Sequence, residues 1–300
     1  MSGLRLPGAP GGAHGGTAGG PGDPTGAVAA GGPDGTNGAD RTDRTEGLDG
    51  AGTASAVNVL APNASPMTLD GTNTWVVGTA EAVLVVDPGP DDEAHLTRVA
   101  SRLAGRQVVS ILLTHGHEDH SGGAARFAEM VGAPVRALDP RHRLGDEGLG
   151  DGDVVTAGGV EVRVVATPGH SFDSLCFWLP ADRAMLTGDT VLGRGTTVIA
   201  PDGDLADYLR SLDMLRRSAE TLEALALLPG HGPVLPDPIG ALDGYIAHRR
   251  QRLDQIREAI RQGARDAREI VEMVYAEVDR SLWPAAEMSV AAQLNYLKTL

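Results

Sequence analysis

His115-Gly116-His117-Glu118-Asp119-His120 begins two residues after Val108–Leu113, a β-branched-rich apolar run that reads as a buried strand. In extended or turn backbone, His115 and His117 can point to the same side and grip one metal ion. Asp119 and His120 lie on the opposite flank and can hold a second. Neutral imidazole and carboxylate suit Zn²⁺, with bonds of about 2.0–2.2 Å. A structural zinc site would require cysteines, and the chain has only Cys176. The alternative is a His-rich polar loop that binds nothing, and three more segments weigh against it.

Those segments are Pro168-Gly169-His170, Gly188-Asp189-Thr190 and Pro229-Gly230-His231, each close behind another apolar run. His170 would be the third histidine on the first ion, His231 would serve the second, and Asp189 is the natural carboxylate to bridge both. Alone, His170 or His231 would read as a loop histidine. The glycines beside them let the backbone turn sharply and approach an ion closely.

Working outward, Asn73–Val77 and Val83–Val86 read as paired strands, the second ending at Asp87-Pro88-Gly89. Helices are expected over Asp91–Leu103, Gly122–Met130 and Leu205 to about Ser218. Further strands are expected at Pro134–Leu138, Val160–Val165, Leu175–Leu179, Ala184–Leu186 and Leu225–Leu228. Strands alternating with helices, with the chemistry at strand ends, indicate an α/β layered architecture with mixed sheets. From Ile239 the pattern is helical: Ile239–Gln262, Ala267–Val278, and a third helix opened by Pro284, three short helices like a helix-turn-helix unit. Sixteen of the first fifty residues are Gly, with no apolar periodicity, so residues 1–56 read as a disordered tail. The expected organisation is thus tail 1–56, hydrolytic domain 57–238 and helical domain 239–300.

The formal charge of −15 argues against a general nucleic-acid-coating surface but leaves room for a local basic groove. A single cysteine fits a reducing compartment. With no secretory signal or membrane-length apolar run visible, a soluble cytoplasmic protein is expected. Arg249, Arg250, Arg252, Arg257 and Arg261 form the one basic stretch, read equally as a solvated face paired with Asp254 and Glu258. Cys176 reads as a buried strand residue, and His14, His95 and His142 fit no cluster.

The His-X-His-X-Asp-His cluster with later His, Asp and His resembles the metallo-β-lactamase superfamily over roughly Val57 to Ile239. The resemblance implies an αββα sandwich with a dinuclear zinc site at one edge, two Zn²⁺ per chain, and a bridging hydroxide as nucleophile. It implies metal ligation by His115, His117, Asp119, His120, His170, Asp189 and His231. It also makes Asp87 a supporting residue that orders the cluster. Antibiotic-hydrolysing members of the main class carry Cys where this chain has Asp189 and lack a His at the position of His120. The mRNA-processing nucleases insert a large domain where only 41 residues separate Asp189 from His231.

Gly71-Thr72-Asn73-Thr74, Gly188–Thr197, Asp207-Tyr208, Leu212–Leu215 and Tyr245-Ile246-Ala247-His248-Arg249 resemble the β-lactamase-like protein 2 family. That family implies a zinc endoribonuclease acting on single-stranded RNA, with a winged-helix-like C-terminal domain matching Ile239–Leu300. Two departures stand out: the family's wing is missing or cut off at Leu300, and the third helix offers only Lys298 as a cation. The resulting expectation is phosphodiester hydrolysis, with Asp119, His120 and Asp189 as catalytic residues and Asn73, His248 and Arg249 as substrate contacts. Asn73 reads equally as a residue that pins a turn, and His248 and Arg249 as a helix-surface pair packed on the sandwich. The competing enzymatic reading is a hydroxyacylglutathione hydrolase-like thioesterase or a lactonase acting on a small ester or thioester. The non-enzymatic one is a DNA-binding sensor or regulator. Association as a homodimer is left open by the sequence.

Overall fold

Val83-Leu84-Val85-Val86 is apolar at successive positions, as a strand covered on both faces must be. All four side chains are inaccessible to solvent in the computed structural model, which describes residues 49–199 and 201–300. This strand is the third of five in the first sheet: β1 (Ala56–Leu60), β2 (Asn73–Gly78), β3 (Ala82–Val86), β4 (Gln107–Leu112) and β5 (Val135–Arg136), in that spatial order. β1, β2 and β3 pair antiparallel, while β3, β4 and β5 run parallel. Helices α1 (Glu93–Leu103), α2 (Glu118–Ser121) and α3 (Ala124–Val131) fall within this half. The second sheet has the spatial order β10-β9-β8-β7-β6. Its strands are β6 (Val154–Ala157), β7 (Val160–Ala166), β8 (Leu175–Leu179), β9 (Ala184–Gly188) and β10 (Ala226–Pro229). Only β9 and β10 pair in parallel there. Both sheets are therefore mixed, or partly so, as the sequence pattern predicts.

Alternation of side chains across each strand divides the interior into layers. One set, including Trp75, Val77, Leu84, Val86, Phe177, Leu179 and Leu186, packs between the two sheets. The opposite face of the first sheet, Val76, Val83, Val85 and Ile111, meets Leu96, Val99 and Leu103 of α1 and Phe127 of α3. The outer face of the second sheet, Cys176, Trp178, Met185 and Leu227, is covered by α4 (Leu205–Thr221) and α5 (Pro238–Arg261). The result is an αββα sandwich. α5 then extends past the sheet, where Ile256 and Ala259 share a small core with Ile270 and Val271 of α6 (Ala267–Val274) and Val290 of α7 (Trp283–Leu297). α5 thus belongs to both cores, and a boundary at 239 falls inside a helix whose first turns pack on the sandwich. Asp92, Asp204, Asp237 and Asp266 cap α1, α4, α5 and α6 by accepting backbone N–H groups, which explains where each begins.

Several expectations are adjusted. Residues 49–56, assigned to the tail, are folded: Gly50 N–H donates to Asn58, and Thr53 and Ser55 hydrogen-bond Asp182. The remainder of the tail, and His14, lie outside the described residues. The expected helix 122–130 begins at Ala124 as α3, and Gly122-Gly123 separates it from the short α2, which was not foreseen. Pro134–Leu138 shortens to two paired residues, and β1 and β6 were not foreseen. Among the described residues, no strand follows β10 and no helix is long and apolar enough to cross a membrane.

Candidate metal centre

The chemistry-bearing residues all follow carboxyl ends of strands: Asp87 after β3, His115 after β4, His170 after β7, Asp189 after β9 and His231 after β10. Asp87 adopts φ +51°, a left-handed conformation unusual for a residue with a side chain. Its carboxylate, 1% exposed, accepts the Thr114 N–H at 2.8 Å and the Thr114 hydroxyl at 2.6 Å. It also accepts Nδ1–H of the fully buried His120 at 2.9 Å. That bond fixes the ring's orientation, so that in the neutral form Nε2 is the atom left to bind a metal.

The same logic sets the other rings. The only Thr114 hydroxyl proton goes to Asp87, so His115 Nδ1, 3.0 Å away, must donate to that oxygen. His170 Nδ1 donates to the Val198 carbonyl at 2.7 Å and His231 Nδ1 to the Gly71 carbonyl at 3.1 Å. Four histidines therefore turn their Nε2 atoms inward.

These atoms gather in two groups. His115 Nε2 and His170 Nε2 each lie 3.0 Å from His117 Nδ1. Beside them, His120 Nε2 and His231 Nε2 are 3.1 Å apart, and Asp119 Oδ2 is 3.1 Å from His231 and 3.6 Å from His120. Asp189 spans both groups: Oδ1 is 3.3 Å from His120 and 3.4 Å from His231, while Oδ2 is 3.7 Å from His170. The Asp189 Oδ1 atom is buried without a hydrogen bond among the described residues.

Nε2 atoms crowded around an orphaned buried carboxylate oxygen are unfavourable unless a cation lies between them. The donor set, imidazole and carboxylate oxygen, is what a divalent zinc-like ion takes. The residues therefore fit metal. Electrostatics agree. Burial opposes ionisation of Asp119, yet His120 and His231 hold its carboxyl down to about 2, and Asp189 is likewise held well below the usual range. Burial would lower His231, but the Asp189 charge and the Asp119 carboxylate 3.1 Å from its Nε2 lift it to about 9. Burial and the charges of His120 and His170 push His115 well below its ordinary value.

Gly230 is what allows the close approach: a Cβ there would lie 2.7 Å from His120 Cε1 and 2.8 Å from Asp189 Oδ1. Gly169, at φ +142°, similarly leaves no room for a Cβ against Tyr208.

The seven residues expected as metal ligands thus converge. Of the three expected substrate contacts, Asn73 and Arg249 are buried and their roles are corrected, while His248 is half-buried. Asn73 is 1% exposed; its Nδ2 donates to the carbonyls of Pro229 (3.0 Å) and Gly232 (2.9 Å), and Oδ1 accepts from Asn58. Its side-chain nitrogen pins the His231 loop and its oxygen is taken by β1. Arg249 is 3% exposed and donates to the Thr197 carbonyl. His248 accepts from Arg252 Nε at 3.3 Å, and burial with the neighbouring Arg249 and Arg252 charges lowers it to about 4. A further correction concerns His142, which groups with Asp139 and Asp173; Asp139, however, is already engaged by Arg141. His95 is a buried core histidine bonded to Thr74 at 2.9 Å. Sequence reasoning missed Thr114, which orients His115, and Asp202, whose Oδ1 lies 3.6 Å from His117 Nε2. Thr114 directly precedes His115, and a hydroxyl beside a histidine pair was the available signal.

A family model described as the metallo-beta-lactamase superfamily matches residues 67–231, and one described as the beta-lactamase associated winged helix domain matches 267–299. The beta-lactamase-like protein 2 homolog of Drosophila melanogaster is 33% identical, covering 82% of this chain and 88% of its own. An atrochrysone carboxyl ACP thioesterase of Aspergillus fumigatus is 35% identical, covering 71% of this chain and 67% of its own. Among solved structures, a beta-lactamase domain protein from Burkholderia ambifaria superposes with a TM-score of 0.69 at 26% identity, over 82% of this chain and 86% of its own.

Proposed function

This chain belongs to the metallo-beta-lactamase superfamily, and from that premise we propose that it is a zinc-dependent hydrolase cleaving phosphodiester bonds of single-stranded RNA. The observation that carries the hydrolytic reading is the two groups of inward-facing Nε2 and carboxylate atoms around the orphaned Asp189 oxygen. His115, His117 and His170 would hold one ion, Asp119, His120 and His231 a second, and Asp189 would be shared. Two such ions, when bound, supply Lewis acidity that brings a water's pKa toward about 7 and stabilises charge on reacting oxygens.

The protein's own part is positional and electrostatic. Asp87, Thr114, Val198 and Gly71 hold the four rings so that no donor atom must reorient as the substrate arrives. Asp119, about a third exposed and ionised at neutral pH, is the carboxylate best placed to accept a hydrogen bond from the attacking water and direct it. No serine or cysteine is required as a nucleophile, and Cys176 sits in the core.

The RNA assignment rests on the likeness to beta-lactamase-like protein 2 homologs over 82% of this chain, with single-stranded RNA as the proposed partner and residues 239–300, which include the winged-helix match at 267–299, as an accessory domain. A second reading, hydrolysis of an acyl thioester, is supported by the 35% identity to the fungal thioesterase. Parallel assays of the zinc-loaded protein on end-labelled single-stranded RNA and on an acyl thioester separate them, with His120→Ala as the inactive control. RNA cleavage lost in that variant upholds the first reading. Thioester turnover with intact RNA overturns it in favour of the second.

A further inference from the structure

The segment from Asp189 to Val198 supplies two parts of the centre, the shared Asp189 carboxylate and the Val198 carbonyl that fixes the His170 ring. The backbone of this segment is held from outside by three side chains of the covering helices. The Tyr208 hydroxyl donates to the Thr190 carbonyl at 2.7 Å, and the Tyr245 hydroxyl accepts the Leu192 N–H at 2.8 Å. Arg249 donates to the carbonyl of Thr197, whose own hydroxyl donates to the carbonyl of Asp189. The guanidinium carbon stacks 5.0 Å from the Tyr208 ring centre. Arg249 Nε, buried, has no partner among the described residues.

Burying a guanidinium is costly unless its position is needed, and arginine offers a planar donor fork that a lysine does not. A helix-surface cation would be free to swing toward substrate; this one is enclosed by Tyr208, Thr197 and its own helix. From these contacts we infer that Arg249 is a positioning residue of the metal centre. Through Thr197 it sets the distance between the Asp189 carboxylate and the His170 ring, so that α5 completes the site instead of reading substrate. The inference rests on the metal reading above but not on the choice of RNA over thioester.

The test is zinc affinity, measured by competition with a chromophoric chelator on the full chain, together with the visible spectrum of the cobalt-substituted protein. Arg249→Ala should weaken binding by about 10–100-fold, the usual effect of removing a partner that orients a ligand, and alter the cobalt bands. Arg249→Lys, which can still donate to the Thr197 carbonyl, should recover part of the loss. Thr197→Val deletes only the hydroxyl link and should weaken binding in the same direction, which keeps the test open if Arg249→Ala does not fold. Arg217→Ala, an exposed arginine on the neighbouring helix, should match the parent. Unchanged affinity and spectrum in Arg249→Ala and Thr197→Val would overturn the inference. So would a raised KM with unchanged zinc binding, since that marks a substrate contact. A parent that takes up no ion would overturn both this inference and the metal reading, whereas parent-like zinc binding by the variants overturns this inference alone.

Discussion

Asp87 and His120, both buried, are joined by a 2.9 Å hydrogen bond that spans the ends of β3 and the loop after β4. The carboxylate that orients this ring also takes both donors of Thr114, so one residue at the end of a strand orders both halves of the centre. Asp87→Asn should separate orientation from backbone strain. Asparagine tolerates the left-handed φ of this position, so thermal stability should change little. Its amide presents one acceptor fewer, and zinc affinity should fall about 10–100-fold. Differential scanning calorimetry and metal content on the same sample would check both halves.

Gly230→Ala should be more damaging than an ordinary loop substitution. The added methyl meets the His120 ring and the Asp189 carboxylate, which cannot both move without opening the centre. Overpacking of this kind costs about 1–3 kcal/mol. A lowered urea midpoint together with lost zinc is the expected outcome; a variant that binds zinc normally would show that the loop has slack the structure does not display.

Zinc uptake should depend on pH with a definite sign. His231, lifted to about 9 in the metal-free protein, must lose its proton to become a ligand. Affinity should therefore rise with pH from 7 through about 9, and calorimetry in buffers of different ionisation enthalpy should detect proton release. In the metal-free state the raised value means that His231 stabilises the fold fully below about 6.5 and progressively less as pH rises through 9.

His95 contributes with the opposite sign. It is 1% exposed, and burial with the Arg98 charge lowers it to about 4. A depressed histidine favours the folded state above the unfolded value near 6.5, and that stability drains away as pH falls from 6.5 toward 4. The urea midpoint of the parent should fall over that window. Of the total fall, the share due to His95 should vanish in His95→Gln.

Cys176 should be chemically silent. Burial pushes its thiol up to about 11, and no other cysteine is present. A disulfide reagent at pH 8 should label it only after denaturation; rapid labelling of the folded protein would contradict the packing of β8.

The ligands were legible because His115, His117, His170, Asp189 and His231 each stood beside a glycine shortly after an apolar run, with Asp119 and His120 directly following in the first cluster, a local signal that needs no knowledge of the third dimension. β1 was missed because Ala56–Leu60 abuts a Gly-rich tail whose composition masked it. β6 was missed because Val154–Ala157, joined to β7 through Gly158-Gly159, was not read as half of a hairpin. The misplacement of Arg249 has a different origin. A charged residue beside other arginines reads as surface, and only the tertiary meeting of α5 with the Asp189 segment buries it. Asn73 was undecidable for a like reason, since its partners lie about 160 residues away on the β10 loop. Ring orientations are likewise set by backbone carbonyls such as those of Val198 and Gly71, and a carbonyl carries no sequence mark.

The central claim is a two-ion centre built from these seven side chains, and zinc bound per chain after saturation and removal of free metal measures it most directly. The account predicts two ions in the parent, and fewer in His231→Ala with the group formed by His115, His117 and His170 still filled. A parent that retains none, or a His231→Ala protein that still binds two, would contradict it.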